Sequence, residues 1–255
     1  MTTRSTASVR PGLCSVTFRE LTVDDVIAHA GTAGLESIEW GTDVHVPLDD
    51  LDRATQVGEL TRGAGLAVAS LGSYFRCTPN EDIDAVLAVA SAIGAPRIRV
   101  WAGRSASADV SPAERAETTA ILRESALRAE DYGVELAVEF HGVTLTDTGA
   151  SARRLLEETA SDNVSSYWQP TKGLGDDDAF AELEAIAPWV SSVHVFSWWP
   201  DSQRLPLDGR SDLWQRVMPY LHALPRVTDA LLEFVPDDDP ALLPGEAETL
   251  RRWLA

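Results

Sequence analysis

Val134-Glu-Leu-Ala-Val-Glu-Phe-His141 reads as an apolar strand that ends in a carboxylate and an imidazole. Two later runs repeat the pattern, Val193-His194-Val195-Phe196 and Leu231-Leu232-Glu233-Phe234. A buried strand normally excludes Glu and His, because taking them out of water is costly unless something compensates. Three such strands, each with an ionisable group near its C-terminal end, point to one shared site.

Working outward, apolar runs at 14–18, 37–40, 66–71, 97–101, 135–140, 164–168, 193–196 and 230–235 alternate with helical patterns near 23–33, 50–63, 80–93, 112–131, 149–160, 178–189, 212–223 and 240–253. Thr78-Pro79-Asn80-Glu81 and Ser111-Pro112-Ala113-Glu114 carry capping-box spacing with Pro at the first helical position, and Asp239-Pro240 supplies another Asp cap. Gly34, Gly65, Gly94 and Gly133 fall where helices end before the next strand. Single strands alternating with single helices imply parallel pairing through right-handed crossovers. Eight such units predict an α/β fold closed as a single (β/α)8 barrel. An open doubly wound sheet would announce a Gly-rich phosphate turn after its first strand, and Arg10-Pro-Gly-Leu13 does not supply one.

Of the 255 residues, 44% are hydrophobic and 24% charged, as in an ordinary globule. Residues 1–10 are polar and read as a flexible N-terminal tail, leaving 11–255 as one barrel domain. Two cysteines are too few for a disulfide framework and suit a reducing cytoplasm. Cys14 reads as a core thiol and Cys77 as more exposed. No apolar run reaches the ~18 residues of a membrane span. The net charge of −19 disfavours nucleic acid and anionic membranes as partners. The expected partner is a small molecule; a homo-oligomer is compatible with the chain.

At the C-terminal ends of barrel strands, side chains converge on the mouth. Alternation turns Glu139 inward on the fifth strand, with Val138 and Phe140 facing the helices. The same logic sends His194 and Glu233 inward, and Tyr167 and Gln169 with them, while Trp40 and Trp168 pack under helices. A divalent cation, a proton-transfer pair or both would explain the set. Trp101 and Trp198 are the expected pocket walls, since aromatic faces suit C–H-rich ligands and exclude water. His45, His141, Arg204 and Arg210 are further candidates for substrate contact. Lys172, the chain's single lysine, reads as solvated.

Gly34-Leu-Glu-Ser-Ile-Glu-Trp-Gly41 with His45 beyond it, Val138-Glu-Phe-His141, Val193-His-Val195, Pro206-Leu-Asp-Gly-Arg-Ser-Asp-Leu-Trp214 and Leu232-Glu-Phe234 occur in an order and spacing that resembles the xylose isomerase-like TIM-barrel superfamily, in particular its sugar phosphate isomerase/epimerase branch. The resemblance implies a divalent metal (Mn2+, Mg2+, Co2+ or Zn2+), no nucleotide cofactor, and ligands at Glu139, Gln169, His194 and Glu233. Gln169 stands where that family usually has Asp. It removes one negative charge, which lowers metal affinity. The implied chemistry is proton transfer beside a carbonyl through a metal-stabilised enediolate, with Glu139 and Glu233 as the catalytic acid and base. The expected protein is therefore a cytoplasmic isomerase or epimerase of a sugar or cyclic polyol, active in carbohydrate metabolism. A polyol or inosose-type dehydratase on the same residues is the alternative lyase reading. A non-catalytic carbohydrate-binding barrel with a degenerate metal site is the third.

Overall fold

A computed structural model describes residues 9–255. The barrel strands are β1 (Arg10–Cys14), β2 (Ser37–Gly41), β3 (Ala67–Gly72), β4 (Arg97–Val100), β5 (Glu135–Glu139), β6 (Val164–Trp168), β7 (Val190–Val195) and β8 (Asp229–Leu232). Each pairs in parallel with its sequence neighbours, and β8 closes on β1. Among the described residues eight α-helices return the chain: α1 (Val23–Thr32), α2 (Leu51–Gly63), α3 (Ile83–Ile93), α4 (Pro112–Glu130), α5 (Gly149–Thr159), α6 (Asp176–Ile186), α7 (Ser211–Leu221) and α8 (Leu243–Leu254). The fold is a single (β/α)8 TIM barrel. A short antiparallel hairpin, Ser197–Trp198 with Arg204–Leu205, rises from the loop after β7. Among the described residues no helix is long and apolar enough to cross a membrane.

The first strand lies earlier than its sequence suggests. Val9 is buried and Arg10 opens β1, while Ser15–Phe18, expected as strand, coils into a 3-10 turn. The β-branched and aromatic side chains of that turn mimic strand composition. Their polar neighbours serve the loops instead: Ser15 Oγ accepts from the Gly41 N–H at 2.9 Å, and Thr17 Oγ1 from the Phe234 N–H at 3.1 Å. The remaining residues assigned to the tail, 1–8, lie outside the described residues.

Caps set the helix starts. Ser111 and Glu114 form a reciprocal capping box at α4, with Pro112 at the first position. Thr78 and Glu81 do exchange hydrogen bonds, but they close a turn. Asn80 takes φ 68°, which a helix cannot continue, so α3 starts three residues later under an Asp82 cap.

Outward-facing strand residues pack under the helices. Trp168 meets Trp214 edge-on at 5.9 Å, and Trp40 Nε1 donates to Thr61 of α2 at 3.1 Å. Cys77 belongs to this same buried layer rather than to the surface. The barrel interior is different. Along β5 the inward residues are Glu135, Ala137 and Glu139; along β8 they are Asp229, Leu231 and Glu233. Ala137 and Leu231 join Cys14, Val16, Ala69 and Tyr167 in a small inner apolar cluster. Two ionic layers are thereby separated, one at the bottom of the barrel and one at its mouth.

The bottom layer is closed by pairing. Arg10 donates from Nε and Nη2 to both oxygens of Asp229 at 3.0 and 2.9 Å, and Ser37 Oγ adds a third bond at 2.7 Å. Arg97 Nε donates to Glu135 at 2.9 Å. Arg226 Nη2 also approaches Glu135 at 3.8 Å, so three guanidiniums meet two carboxylates there.

Candidate active site

The mouth layer is built from strands that run out together. Glu139, the last residue of β5, is buried and takes two donors on one oxygen. Nη1 of Arg99 and Nε1 of Trp101, both from the β4 side, donate to Oε2. Its other oxygen, Oε1, stands 3.8 Å from Nδ1 of His194. His194, fully buried on β7, has Gln169 Oε1 at 2.9 Å and Glu233 Oε2 at 3.4 Å from the same nitrogen. Glu139, Gln169, His194 and Glu233 are thus brought together from the ends of β5, β6, β7 and β8. Donors bonded to one cation at ~2.0–2.2 Å stand ~3–3.5 Å apart; the Gln169 and Glu233 oxygens come near that spacing from His194 Nδ1, and Glu139 Oε1 stands wider.

The other face of His194 is supported from behind. Its Nε2, which makes no hydrogen bond, lies 3.5 Å from Glu39 Oε1. Glu39 also accepts from Ser70 Oγ at 2.7 Å and from Arg99 Nε at 3.0 Å. A carboxylate at that distance favours the proton on Nε2, which leaves Nδ1 as the nitrogen free to ligate. Donor atoms of Cys14, Glu39 and His194 also lie within 4.8 Å of one another. That triad is the poorer cradle. Glu39 is already committed to Arg99 and Ser70, and burial, with Glu39 adding to it, pushes the Cys14 thiol well above its ordinary value. A metal needs the thiolate.

Three buried carboxylates, Glu39, Glu139 and Glu233, face one guanidinium, that of Arg99. The excess of two negative charges shows in the ionisation of the set. Burial alone would keep Glu39 neutral, but the charge of Arg99 and then His194 overcomes it and holds the carboxyl at about 2. Glu139 is likewise held below its usual value against burial, by Arg99 before His194. Glu233 has no such cation. Burial, with Glu139 beside it, pushes Glu233 up to about 7 despite the attraction of His194. His194 is raised to about 9, because Glu233 and Glu39 outweigh its desolvation. A divalent cation or two protons would close the same deficit.

Gly72 makes room for this cluster. A Cβ there would meet Arg99 Nη2 and Glu39 Oε1, each at 2.9 Å. Strand β3 therefore contributes the Ser70 hydroxyl and then an empty position, as a close approach in a strand requires.

The cavity above the cluster is about 260 Å3 and is lined by Tyr74, Trp101, Glu139, His141, Gln169, Lys172, Phe196, Trp198 and Glu233 among others. His141 stacks on Trp101 at 4.4 Å and 20°. Other candidates from the sequence lie elsewhere. His45 is buried, with Nδ1 against Ser15 Oγ at 3.2 Å and Nε2 against the Leu21 carbonyl at 3.1 Å, so both nitrogens brace a loop. Arg210 is buried too and ties Asp176 and the Leu174 carbonyl to the turn before α7. Arg204 stays on the rim, paired with Asp238 and lying over Phe234 at 4.7 Å. Glu39 and Arg99 went unassigned in the sequence, although Glu39 is an acid in an apolar strand like the three that opened the reading. Lys172 is exposed but lines the cavity, with Nζ 4.3 Å from the Trp198 ring centre.

The xylose isomerase-like TIM barrel profile matches residues 27–242. The chain belongs to the xylose isomerase-like TIM barrel family. A 3-dehydroshikimate dehydratase of Bacillus anthracis is 25% identical over 199 residues, 71% of this chain and 69% of the relative. A probable 3-DHS dehydratase from Bacillus anthracis, involved in petrobactin synthesis, superposes with a TM-score of 0.80 at 18% identity, covering 95% of this chain and 99% of that one. D-allulose 3-epimerase from Methylomonas sp. superposes with a TM-score of 0.73 at 14% identity, over 98% of this chain and 99% of that one. A xylose isomerase-like TIM barrel protein from Mycobacterium smegmatis, solved in complex with magnesium, gives 0.72 at 15% identity, over 100% and 98%. The sequence relative is thus a dehydratase, and epimerases are among the proteins that share the fold.

Proposed function

We propose that the protein is a divalent-metal-dependent enzyme that moves a proton beside the carbonyl of a small polyhydroxylated compound, with loss of water as the outcome. The observation that carries this reading is the meeting of Glu139, Gln169 and Glu233 oxygens around His194 Nδ1, at 3.8, 2.9 and 3.4 Å. One imidazole nitrogen and three oxygens suit a cation such as Mn2+ or Mg2+. Bound there, the cation would polarise the substrate carbonyl and acidify the neighbouring C–H bond.

The chain's own groups divide the proton work. Arg99 keeps Glu139 ionised and occupies Oε2, which leaves Oε1 to accept a proton. Glu233, the one carboxyl of the three not bonded to Arg99, is the second proton carrier and can return a proton to a departing hydroxyl. Trp101, Phe196 and Trp198 wall the cavity and limit water around both carboxyls. Similarity to a 3-dehydroshikimate dehydratase favours dehydration over isomerisation. Isomerase or epimerase action on a sugar or polyol is the second reading. It is favoured by two carboxyls, Glu139 and Glu233, that border one cavity and could serve one carbon in turn.

The test is to strip the protein with chelator, titrate Mn2+ calorimetrically into the parent and Gln169→Asp, and assay the reloaded parent. Expected are one ion per chain and roughly tenfold to a hundredfold tighter binding by Gln169→Asp, about what one added carboxylate contributes. The reloaded parent should convert 3-dehydroshikimate, a hydroxylated cyclohexenone acid, to a catechol seen by its near-ultraviolet absorbance. Epimerised products from a ketohexose panel, with no catechol, would replace the lyase by the second reading. Absence of stoichiometric Mn2+ binding to either protein would sink both.

A further inference from the structure

Positive charge is scarce in this chain, with 40 acidic residues against 21 basic ones, and most of it is spent on ion pairs. At the rim of the cavity Arg19 pairs with Asp43 at 2.9 Å and Arg204 with Asp238. Arg76 and Lys172 are exceptions. Among the described residues, neither side chain has an ion-pair or hydrogen-bond partner. Each cation lies over a tryptophan instead: Arg76 Cζ is 3.9 Å from the Trp101 ring centre, and Lys172 Nζ is 4.3 Å from that of Trp198. Trp101 and Trp198 are both walls of the cavity, and Lys172 lines it directly.

The acid close to Arg76 in sequence is engaged. Glu81 accepts from Arg104 on Oε1 at 2.8 Å, and on Oε2 from the Arg76 and Thr78 N–H groups and the Thr78 hydroxyl. Partial burial and the neighbouring Arg104 press the Arg76 guanidinium below its ordinary value. A cation seated on an aromatic face keeps its charge and loses some rotamer freedom in advance, so less ordering remains when an anion arrives. The two cations stand on the loops after β3 and β6; Lys172 lines the cavity, and Arg76 backs its Trp101 wall on the face opposite His141. In a protein of net charge −19, an unneutralised cationic rim at the mouth selects the sign of what enters.

We propose that Arg76 and Lys172 form a subsite for a carboxylate carried by the substrate, so that the enzyme takes polyhydroxylated keto acids in preference to neutral sugars. The inference rests on reading this cavity as the substrate pocket, but not on which reaction follows. A phosphate dianion is commonly held in a nest of backbone N–H groups. Here the two candidate contacts are side chains, an arginine fork and a lysine ammonium, both of which hold carboxylates.

Binding to the metal-loaded, full-length protein separates this subsite from the chemistry. The probes are 3-dehydroshikimate, its methyl ester, D-fructose and inorganic phosphate, each followed by tryptophan fluorescence and calorimetry. The acid should bind at least tenfold more tightly than the ester, and this preference should weaken with added salt. Lys172→Met and Arg76→Met should each weaken the acid by tenfold or more while leaving the ester and D-fructose within twofold. Lys172→Arg should restore most of the loss. If the acid binds in this pattern without being turned over, the lyase reading fails and the subsite stands. Equal affinity of the parent for acid and ester, or unchanged acid binding in folded Lys172→Met and Arg76→Met, would overturn the subsite. Phosphate binding more tightly than the acid, with loss in the same variants, would overturn the carboxylate assignment.

Discussion

The two ionic layers inside this barrel differ in one respect, their charge balance. At the bottom, Arg10 and Arg97 answer Asp229 and Glu135, with each carboxylate held at 2.9–3.0 Å by a guanidinium. At the mouth, Arg99 answers Glu39 and Glu139 together, and Glu233 has only His194. Both layers remove charged groups from water, and in both that desolvation cost is offset by close pairing. The bottom layer leaves no carboxylate uncompensated, with Arg226 also 3.8 Å from Glu135. The mouth layer is short of two positive charges, and the shortage is what makes it chemically useful. Burial of charge therefore does not separate a structural cluster from a functional one here; the arithmetic of the charges does.

The largest expected effect that sharpens the contrast is on catalysis. Glu233→Gln should lower kcat/KM by about a thousandfold or more, since on the proposed reading it removes both a cation ligand and a proton carrier. Its melting temperature should stay at or above that of the parent, because a like charge leaves a crowded site. Steady-state kinetics and calorimetry on the same preparation would check both halves. A variant within a few-fold of parental activity would exclude Glu233 from acid–base work.

The next test sets the arginines against each other. Removing one partner from a buried pair costs ~3–5 kcal/mol, so Arg97→Met and Arg99→Met should both melt early. Mn2+ should restore part of the loss in Arg99→Met, whose stranded carboxylates, Glu39 and Glu139, adjoin the cation site. It should restore nothing in Arg97→Met beyond its effect on the parent. Thermal shifts with and without Mn2+ decide it, and equal rescue of both would dissolve the distinction between the layers.

The smallest effect is on pH. In the metal-free protein His194 is raised to about 9 from an ordinary 6.5. Its contribution to stability is complete below ~6.5 and is lost as pH rises through 9. Glu233, raised to about 7 from 4.5, contributes fully below ~4.5, and that contribution is lost as pH rises through 7. Both move the same way, so the metal-free melting temperature should fall between pH 6.5 and pH 9.5. Saturating Mn2+ should flatten the fall, because the cation takes the place of the protons. A melting temperature that rises over this interval would contradict the proton-filled deficit.

Much of this was legible in the chain because it is written locally. Strand–helix alternation repeats eight times within neighbouring residues, and alternation along a strand tells which way Glu139, His194 and Glu233 turn. Glu39 and Arg99 were harder to read. The run Arg97-Ile-Arg-Val100 looks like a strand with one charged, solvated face. Only barrel closure brings Arg99 to Glu39, 60 residues away, and to Glu139, 40 residues away. A register shift between Ile38 and Glu39 further disturbs the simple alternation of β2 against β3. His45 and Arg210 misled for the opposite reason. Residue type and a place after a strand suggested substrate contact, but their partners, a serine hydroxyl, two main-chain carbonyls and Asp176, are structural and could not be foreseen from spacing.

The empty position at Gly72 gives β3 an influence that its lack of reacting groups would not suggest. Adding one methyl there would press on the back of the Arg99 guanidinium and on Glu39 while touching neither substrate nor cation. Because Arg99 sets how firmly Glu139 holds its negative charge, the basicity of that carboxylate can be tuned from outside the pocket. Position 72 thus acts as a remote trim on the site's strength, with only two outcomes open to the chain. Either the guanidinium yields and Glu139 becomes a stronger base less firmly aimed, or it holds and the strand is forced apart.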